Sequence, residues 1–339
     1  MVDFRTLRAV FSRARFTLAR GSSRDRAGTR SRPRPASRVG DRILFALCAL
    51  AGVIVVVTLV DVVYQLANNG NQAISHFGLG FLVHSAWKPG FNIEGAGALI
   101  YGTLVTSLIA IILATPLGIA IGLYLSLIAP PRVRAFVGPL VEMLAAVPSI
   151  IYGFWGLVVL VPFVDKLEPG LHSALGFIPL FGPASPVGIS VFSAGLVLTV
   201  MILPIISALS RDLFLTVPAE LKDGAEALGA TRWEVIRGIV LPTTISGCTA
   251  AVVLGLGRAL GEAIAVSFVI GDASQRHASV FQPGATIAER IANQFLAPVN
   301  ALQLSAMFYA GLLLVIIGML TSVAARVIAG RFDVTQRVI

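Results

Sequence analysis

The sequence VPAELKDGAEALGATRWEVIRGIVLP, at residues 217–242, is a polar island in a chain that is otherwise mostly apolar. Pro218 suits the first turn of a helix, which residues 219–228 continue until Gly229 stops it. The apolar face of this helix carries Leu221, Ala225 and Leu228.

A second helix is predicted to begin at Thr231, because Thr231 and Glu234 have the spacing of a capping box. Its apolar stripe comprises Val235, Ile236 and Ile239, and Pro242 closes the unit. Neither helix has the roughly 20 apolar residues that a membrane span needs. Two short amphipathic helices between spans suit docking onto a partner, although an ordinary loop shows the same pattern.

The composition places the chain among membrane proteins. Of its 339 residues, 56% are hydrophobic and 13% are charged, whereas about a quarter are charged in soluble domains. The predicted fold class is therefore an all-α integral membrane protein with six transmembrane helices. The six apolar stretches lie near residues 43–66, 98–128, 136–163, 188–210, 242–271 and 302–328.

Basic residues are unevenly distributed between the two sides of the membrane. With the N-terminus inside, 21 lie in the inner segments and only four in the outer ones, which are Lys88, Lys166, Arg276 and Arg290. Because Lys and Arg accumulate on the cytoplasmic side, both termini and the island at 217–242 are predicted to be cytoplasmic.

The N-terminal tail, residues 1–42, holds twelve Arg and no Lys. It is predicted to be largely disordered and to face anionic lipid, rather than to bind nucleic acid. A transit peptide is an alternative for this tail. Residues 43–76 form the first transmembrane helix and the start of an outer segment, and residues 77–332 form the main membrane domain.

Two ionisable residues, Arg258 and Glu262, lie well inside the fifth span, at a cost of a few kcal/mol each. Four residues apart on one helix, they share a face and can pair. The stripe of small residues on that face predicts contact with protein rather than lipid: Gly247, Ala251, Gly255 and Ala265. The pair either pins helix packing or puts Arg258 on an anion route, since a guanidinium matches the oxygens of phosphate-like ions.

Glu142 is a third ionisable group within a predicted span. It either pairs with the nearby Arg132 or Arg134 or has a functional role. Pro116, Pro148 and Pro204 also lie inside spans, where proline kinks or breaks helices and often accompanies a substrate pathway. The outer segment 164–187 is predicted to be irregular.

Several classes of chemistry have no sequence signal. The chain has no G-x-x-x-x-G-K-[ST] phosphate loop, no H-E-x-x-H and no G-x-S-x-G. Its two cysteines, Cys48 and Cys248, and its four histidines do not have metal-ligand spacing. We therefore expect no catalytic residues, no metal and no cofactor in this chain, so a partner or an ion gradient must supply energy.

The island resembles the EAA loop of ABC importer permeases, the element that docks into a cleft of the ATPase subunit. The resemblance rests on Asp223, Gly224, Ala225, Gly229, Ile239, Leu241 and Pro242. This chain has Asp-Gly-Ala where the family signature has Glu-Ala-Ala, while the glycine and the I-x-L-P end match in spacing. The resemblance implies that these seven residues form the ATPase coupling loop.

A wider resemblance, over about residues 77–332, is to the C-type permease subunits of phosphate-specific ABC importers. It is carried by Trp87-Lys-Pro89, Tyr101-Gly-Thr-Leu-Val-Thr-Ser107, Glu142-Met-Leu-Ala-Ala-Val-Pro-Ser-Ile-Ile-Tyr-Gly153, Trp155-Gly156, Ile202-Leu-Pro-Ile205, Ser210-Arg-Asp212, Gly257-Arg-Ala-Leu-Gly-Glu262 and Ala265-Val266. Ala263-Ile264 stand where the family has Thr-Met.

This resemblance implies a type I ABC importer permease in a bacterial inner membrane. Its partners would be a second homologous permease, two ATPase subunits that bind ATP and Mg²⁺, and a periplasmic phosphate-binding protein. We expect Arg258 and Glu262 to form a pair that blocks the pathway at rest, with phosphate competing with Glu262 for Arg258 as it crosses. The alternatives are a permease for another oxyanion, the sister phosphate permease, a gradient-driven carrier, a membrane enzyme or a scaffold.

Overall fold

The computed structural model describes residues 38–332 except 184 and 186. Six helical stretches in this part are long and apolar enough to cross a membrane, as the sequence predicted. They are Gly40–Asn69, Gly97–Ile128, Ser149–Leu175, Val191–Leu215, Arg232–Gly261 and Ala301–Val327. Most of the tail predicted to be disordered, residues 1–37, lies outside the described residues.

The first span belongs to helix α1, Arg38–Asn69, which runs from one compact unit, ending at Thr58, into a second that begins at Leu59. Short elements follow between the first and second spans: α2 (Asn71–Phe77), α3 (Gly80–Val83) and an antiparallel hairpin of β1 (Trp87–Lys88) and β2 (Ile93–Glu94). The α2 helix is anchored to the sixth span, because the Ala73 N–H donates to Ser305 Oγ over 3.0 Å.

The second and fourth spans form the centre of the second unit. They are α4 (Gly97–Leu123, with a wide turn at Tyr124–Ile128) and α8 (Val191–Leu215). Leu198, Ile202 and Ile206 of α8 are fully buried, in a core that includes Ala110 and Ala114 of α4. Alanines in α4 let the two helices approach closely, as small residues do between membrane helices.

The third span differs from its prediction. Residues 136–163 do not form one helix, because α5 (Pro131–Ala145) ends before Pro148 and α6 (Ser149–Trp155) begins after it. A residue that precedes proline is disfavoured in the helical conformation, which accounts for the break. After a wide turn at Gly156–Leu160, α7 (Val161–Leu175) extends the span, so the segment predicted to be irregular is helical to Leu175.

The fifth span begins inside the polar island. Helix α10 (Arg232–Val235) passes through a wide turn at Ile236–Val240 into α11 (Leu241–Gly261), so the prediction that Pro242 closes the unit is wrong. A proline ring clashes with the carbonyl four residues earlier in a regular helix. The wide turn just ahead of Pro242 relieves that clash and lets the helix continue.

After the fifth span, the described residues form three further α-helices. They are α12 (Ile264–Ser267), α13 (Ile287–Gln294) and α14 (Ala301–Phe332). The buried Val266 and Ile270, which lie in and just after α12, join the same core as α8. The α11 helix therefore ends at Gly261 and the chain continues into the protein core, where surrounding protein or water must satisfy the backbone groups freed at the break.

Candidate functional site

The first helix of the island ends as predicted. Helix α9, Ala219–Ala227, is followed by Leu228 and then by Gly229, whose φ is +88°. The Gly229 N–H donates to the Glu226 carbonyl and the Ala230 N–H to the Ala225 carbonyl, over 2.9 and 3.1 Å. This pair of bonds is a Schellman motif, in which glycine occupies the left-handed position.

The predicted capping box at the start of α10 is confirmed. The Thr231 N–H donates to Glu234 Oε2 over 2.8 Å, and the Glu234 N–H donates to Thr231 Oγ1 over 3.4 Å. The Schellman motif ends at Ala230 and the capping box begins at Thr231, so consecutive local hydrogen bonds fix the angle between α9 and α10.

The buried face of the island packs on the ends of the spans. Val217, Val235 and Val240 are buried together with Phe214, the last fully buried side chain of α8. Of the residues assigned to the coupling loop, Ala225, Ile239 and Leu241 pack against this cluster. Gly224 and Pro242 are half-buried, while Asp223 and Gly229 are exposed.

The face of the island opposite this buried cluster carries large apolar side chains that the rest of the described chain leaves exposed. The exposed fraction is 43% for Leu221, 55% for Leu228 and 64% for Trp233. Sequence analysis identified the two leucines but missed Trp233, whose aromatic ring between charged residues was a signal for a contact residue. We call these three residues the apolar coupling surface. Exposed apolar side chains beside a turn that local hydrogen bonds hold in place are suited to binding a protein partner.

Glu142 lies on α5 and not within a span, and its partner is neither Arg132 nor Arg134. Its Oε1 accepts from Arg211 Nη2 over 2.7 Å, while the same Nη2 contacts Asp212 Oδ1 over 2.9 Å. Arg134 donates instead to the Ser126 carbonyl. The Arg211 side chain thus ties α5 to the end of α8, four residues before the chain leaves that helix for the island.

The structure corrects the geometry predicted for Arg258 and Glu262. They do not share a face of one helix, because α11 ends at Gly261 and Glu262 has extended backbone angles, with φ −76° and ψ 121°. Glu262 Oε1 accepts the Ala265 N–H over 3.2 Å, which stabilises the start of α12. Among the ion pairs of the described residues, none joins Arg258 to Glu262.

Arg258 lies at the edge of an open groove with a volume of about 680 Å³. Arg258 is the only charged residue among the described residues that line the groove. The other lining residues are Ile205, Ala250, Val253, Leu254, Gly257 and Ser322. Because neither Gly257 nor Gly261 has a neighbour near its Cβ position, the guanidinium lies in an accessible part of α11.

The stripe of small residues predicted on the fifth span does contact protein. A Cβ on Gly247 would come within 2.6 Å of the Leu213 side chain, and one on Gly255 within 3.2 Å of Ile206. Ala251 and Ala265 are buried. The stripe therefore packs on α8, while Arg258 is exposed in the groove, which Ile205 of α8 also lines.

Comparison with known proteins gives a consistent assignment. Residues 114–334 match the family model described as the binding-protein-dependent transport system inner membrane component. A protein of Mesorhizobium japonicum named phosphate transport system permease protein PstC is 43% identical over 299 residues, covering 86% of this chain and 91% of that protein. A Methanocaldococcus jannaschii protein named probable phosphate transport system permease protein PstC is 35% identical, covering 75% and 82%.

Solved structures of ABC transporters contain chains with the same fold. A chain of a bacterial alginate ABC transporter superposes with a TM-score of 0.57 at 17% identity, covering 87% of this chain and 96% of that one. A chain of the MetNI methionine ABC transporter gives a TM-score of 0.51 at 19% identity, covering 73% and 99%. At these identities the likeness establishes the fold.

Proposed function

This chain belongs to the family of binding-protein-dependent transport system inner membrane components, and on that premise we propose that it is the C-type permease subunit of an ATP-driven inorganic phosphate importer. The observation that carries the proposal is the 43% identity to a phosphate permease over 91% of that protein's length. Arg258, alone among apolar groove residues, supplies the positive charge that an anion route needs.

The exposed groove supports a second, homologous permease as partner. A guanidinium that faced lipid at the centre of the bilayer would cost about 2.5–3.5 kcal/mol on insertion scales. A second subunit over the groove would replace the lipid and enclose a pathway between the two chains. Arg258 would then meet the anion where water and lipid are excluded.

The apolar coupling surface supports an ATPase partner, present in two copies because each permease carries one docking island. ATP and Mg²⁺ would bind the ATPase, since this sequence has no phosphate loop of its own. A periplasmic phosphate-binding protein would deliver the anion from the outer side. This chain would then bind the anion, dock the ATPase and contact membrane lipid, without performing covalent chemistry.

Both termini and the island are proposed to lie on the cytoplasmic side of a bacterial inner membrane. The basis is the distribution of basic residues, with 21 in the inner and four in the outer segments of the predicted topology. Ala230→Cys, with Cys48 and Cys248 replaced by alanine, tests this orientation. An impermeant thiol reagent should label Ala230→Cys in inside-out vesicles but not in intact cells. Labelling from the periplasm of intact cells would refute the orientation.

Reconstituted transport tests the function. Proteoliposomes that contain this chain, its companion permease, the ATPase and the binding protein should accumulate labelled inorganic phosphate when ATP is supplied. Uptake should vanish without ATP, and excess sulfate should not compete. Accumulation that follows an ion gradient without the ATPase would identify a carrier instead, and accumulation of sulfate in place of phosphate would identify a permease for another oxyanion.

A further inference from the structure

We propose that a second pocket, on the outer side of the chain, binds inorganic phosphate before it reaches Arg258; this inference rests on the proposed phosphate import. The pocket has a volume of about 720 Å³ and is lined by residues 85–88 and 273–277. These segments precede the second and sixth spans, so they lie on the side of the membrane opposite the island. The groove at Arg258 shares none of these lining residues.

Every charged residue that lines this pocket is basic. Lys88 and Arg276 supply two cations, and neither forms an ion pair with a residue that the structure describes. Hydroxyl, amide and imidazole groups complete the lining, from Ser85, Ser274, Gln275 and His277. Cations together with neutral donors are the groups that bind an oxyanion through charge-assisted hydrogen bonds.

The concentration of positive charge here is unusual for this chain. The sequence assigns only four Lys or Arg residues to the outer segments, and the structure places one of them, Lys166, on α7 within the third span. Two of them line the pocket, and a third, Arg290, adjoins it, with its Cζ 5.6 Å from the ring centroid of the lining residue Trp87. The positive-inside rule disfavours basic residues on this side, so their gathering at one pocket indicates a role in binding.

The wall of the pocket is held by buried contacts. Arg290, only 4% exposed, pairs with Asp272 over 2.8 Å and donates to Ser274 Oγ over 3.3 Å. Trp87 is 6% exposed, and its Nε1 donates to Gln294 Oε1 over 2.9 Å. These bonds join the β-hairpin to the segment before the sixth span, which fixes the two sides of the pocket relative to each other.

The neighbouring carboxyl groups oppose the positive charge weakly. Burial raises the pKa of Glu94, the residue opposite Trp87 in the hairpin. Burial, together with the charge of Asp272, raises the pKa of Glu289 to about 7. Asp272 itself is paired with Arg290. The charges of Lys88 and Arg276 are therefore left largely free to attract an anion.

The test measures local charge and phosphate occupancy directly. Ala86, an exposed lining residue, is replaced by cysteine in the Cys48→Ala, Cys248→Ala background, and the purified assembled transporter is labelled without the binding protein. We expect an anionic methanethiosulfonate to react about tenfold faster, relative to its cationic counterpart, at Ala86→Cys than at Ala297→Cys, an exposed control between α13 and the sixth span that does not line the pocket. Millimolar phosphate should slow the reaction at Ala86→Cys, while chloride at matched ionic strength should not.

Charge variants supply the matched control. Lys88→Gln with Arg276→Gln should remove both the anionic preference and the phosphate protection, while Lys166→Gln, at a basic residue of α7 that does not line the pocket, should change neither. The proposal would be overturned if phosphate did not slow labelling of Ala86→Cys, or if chloride slowed it equally. It would also be overturned if only sulfate or the binding protein gave protection. Because labelling does not require transport, the pocket can fail this test while ATP-driven phosphate uptake is intact.

Discussion

Gly229→Val is expected to abolish coupled phosphate uptake while the membrane part of the protein still inserts and assembles. Gly229 has φ +88° in the Schellman motif between α9 and α10. A non-glycine residue in a left-handed conformation costs about 1–2 kcal/mol, and the branched Cβ of valine makes the turn still less favourable. We expect the turn to rearrange and to displace the apolar coupling surface from the ATPase.

The space around Gly229 makes the expected effect specific to the backbone. No atom lies within 4 Å of the position that a Cβ would occupy, so valine meets no neighbour within the chain. Uptake should fall at least tenfold in proteoliposomes. ATP hydrolysis should either lose its response to the binding protein or fall with loss of the bound ATPase, which co-purification measures.

Two controls separate the turn from the mere presence of a side chain. Gly229→Asn should retain most of the uptake, because asparagine tolerates the left-handed conformation better than other residues. Gly224→Ala, inside α9 and without neighbours within 4 Å, should be neutral or stabilise the helix by up to about 1 kcal/mol. Normal uptake by Gly229→Val with its ATPase bound would show that the island does not couple through this turn.

Local signals in the sequence predicted local structure well. The six spans followed from the length and apolarity of each stretch, which reflect the thickness of the bilayer rather than any tertiary contact. The glycine stop and the capping box of the island were also predicted correctly, because their hydrogen bonds join residues at most five positions apart. Pro148 was noted as a residue that breaks helices, yet the span was predicted to be continuous.

Features that depend on distant contacts were not accessible from the sequence. Glu142 was expected to pair with nearby arginines, but its partner, Arg211, lies 69 positions away and is brought to it by the packing of α5 on α8. The pairing of Arg258 with Glu262 assumed one continuous helix, and the break after Gly261 removed that geometry. The outer pocket joins segments almost 190 residues apart, so no sequence pattern could reveal it.

The last prediction concerns Arg258, and the corrected geometry makes its test cleaner. Because Arg258 is exposed in the groove and not paired with Glu262, Arg258→Gln leaves no buried carboxylate without a partner. We expect this variant to fold and to bind its ATPase. Hydrogen bonds to a charged group contribute about 1.5–3 kcal/mol, so loss of the guanidinium should lower phosphate uptake about 10- to 150-fold.

Glu262→Gln and the double variant determine whether the two residues act together. The glutamine Oε1 can still accept the Ala265 N–H, so α12 should stay capped. If the pair forms in another state of the transport cycle, Glu262→Gln alone should also lower uptake, and the double variant should lose no more than Arg258→Gln, because both changes affect one step. The double variant must in any case assemble with its partners and fail to take up phosphate. Near-normal uptake by the assembled double variant would show that Arg258 does not lie on the anion route.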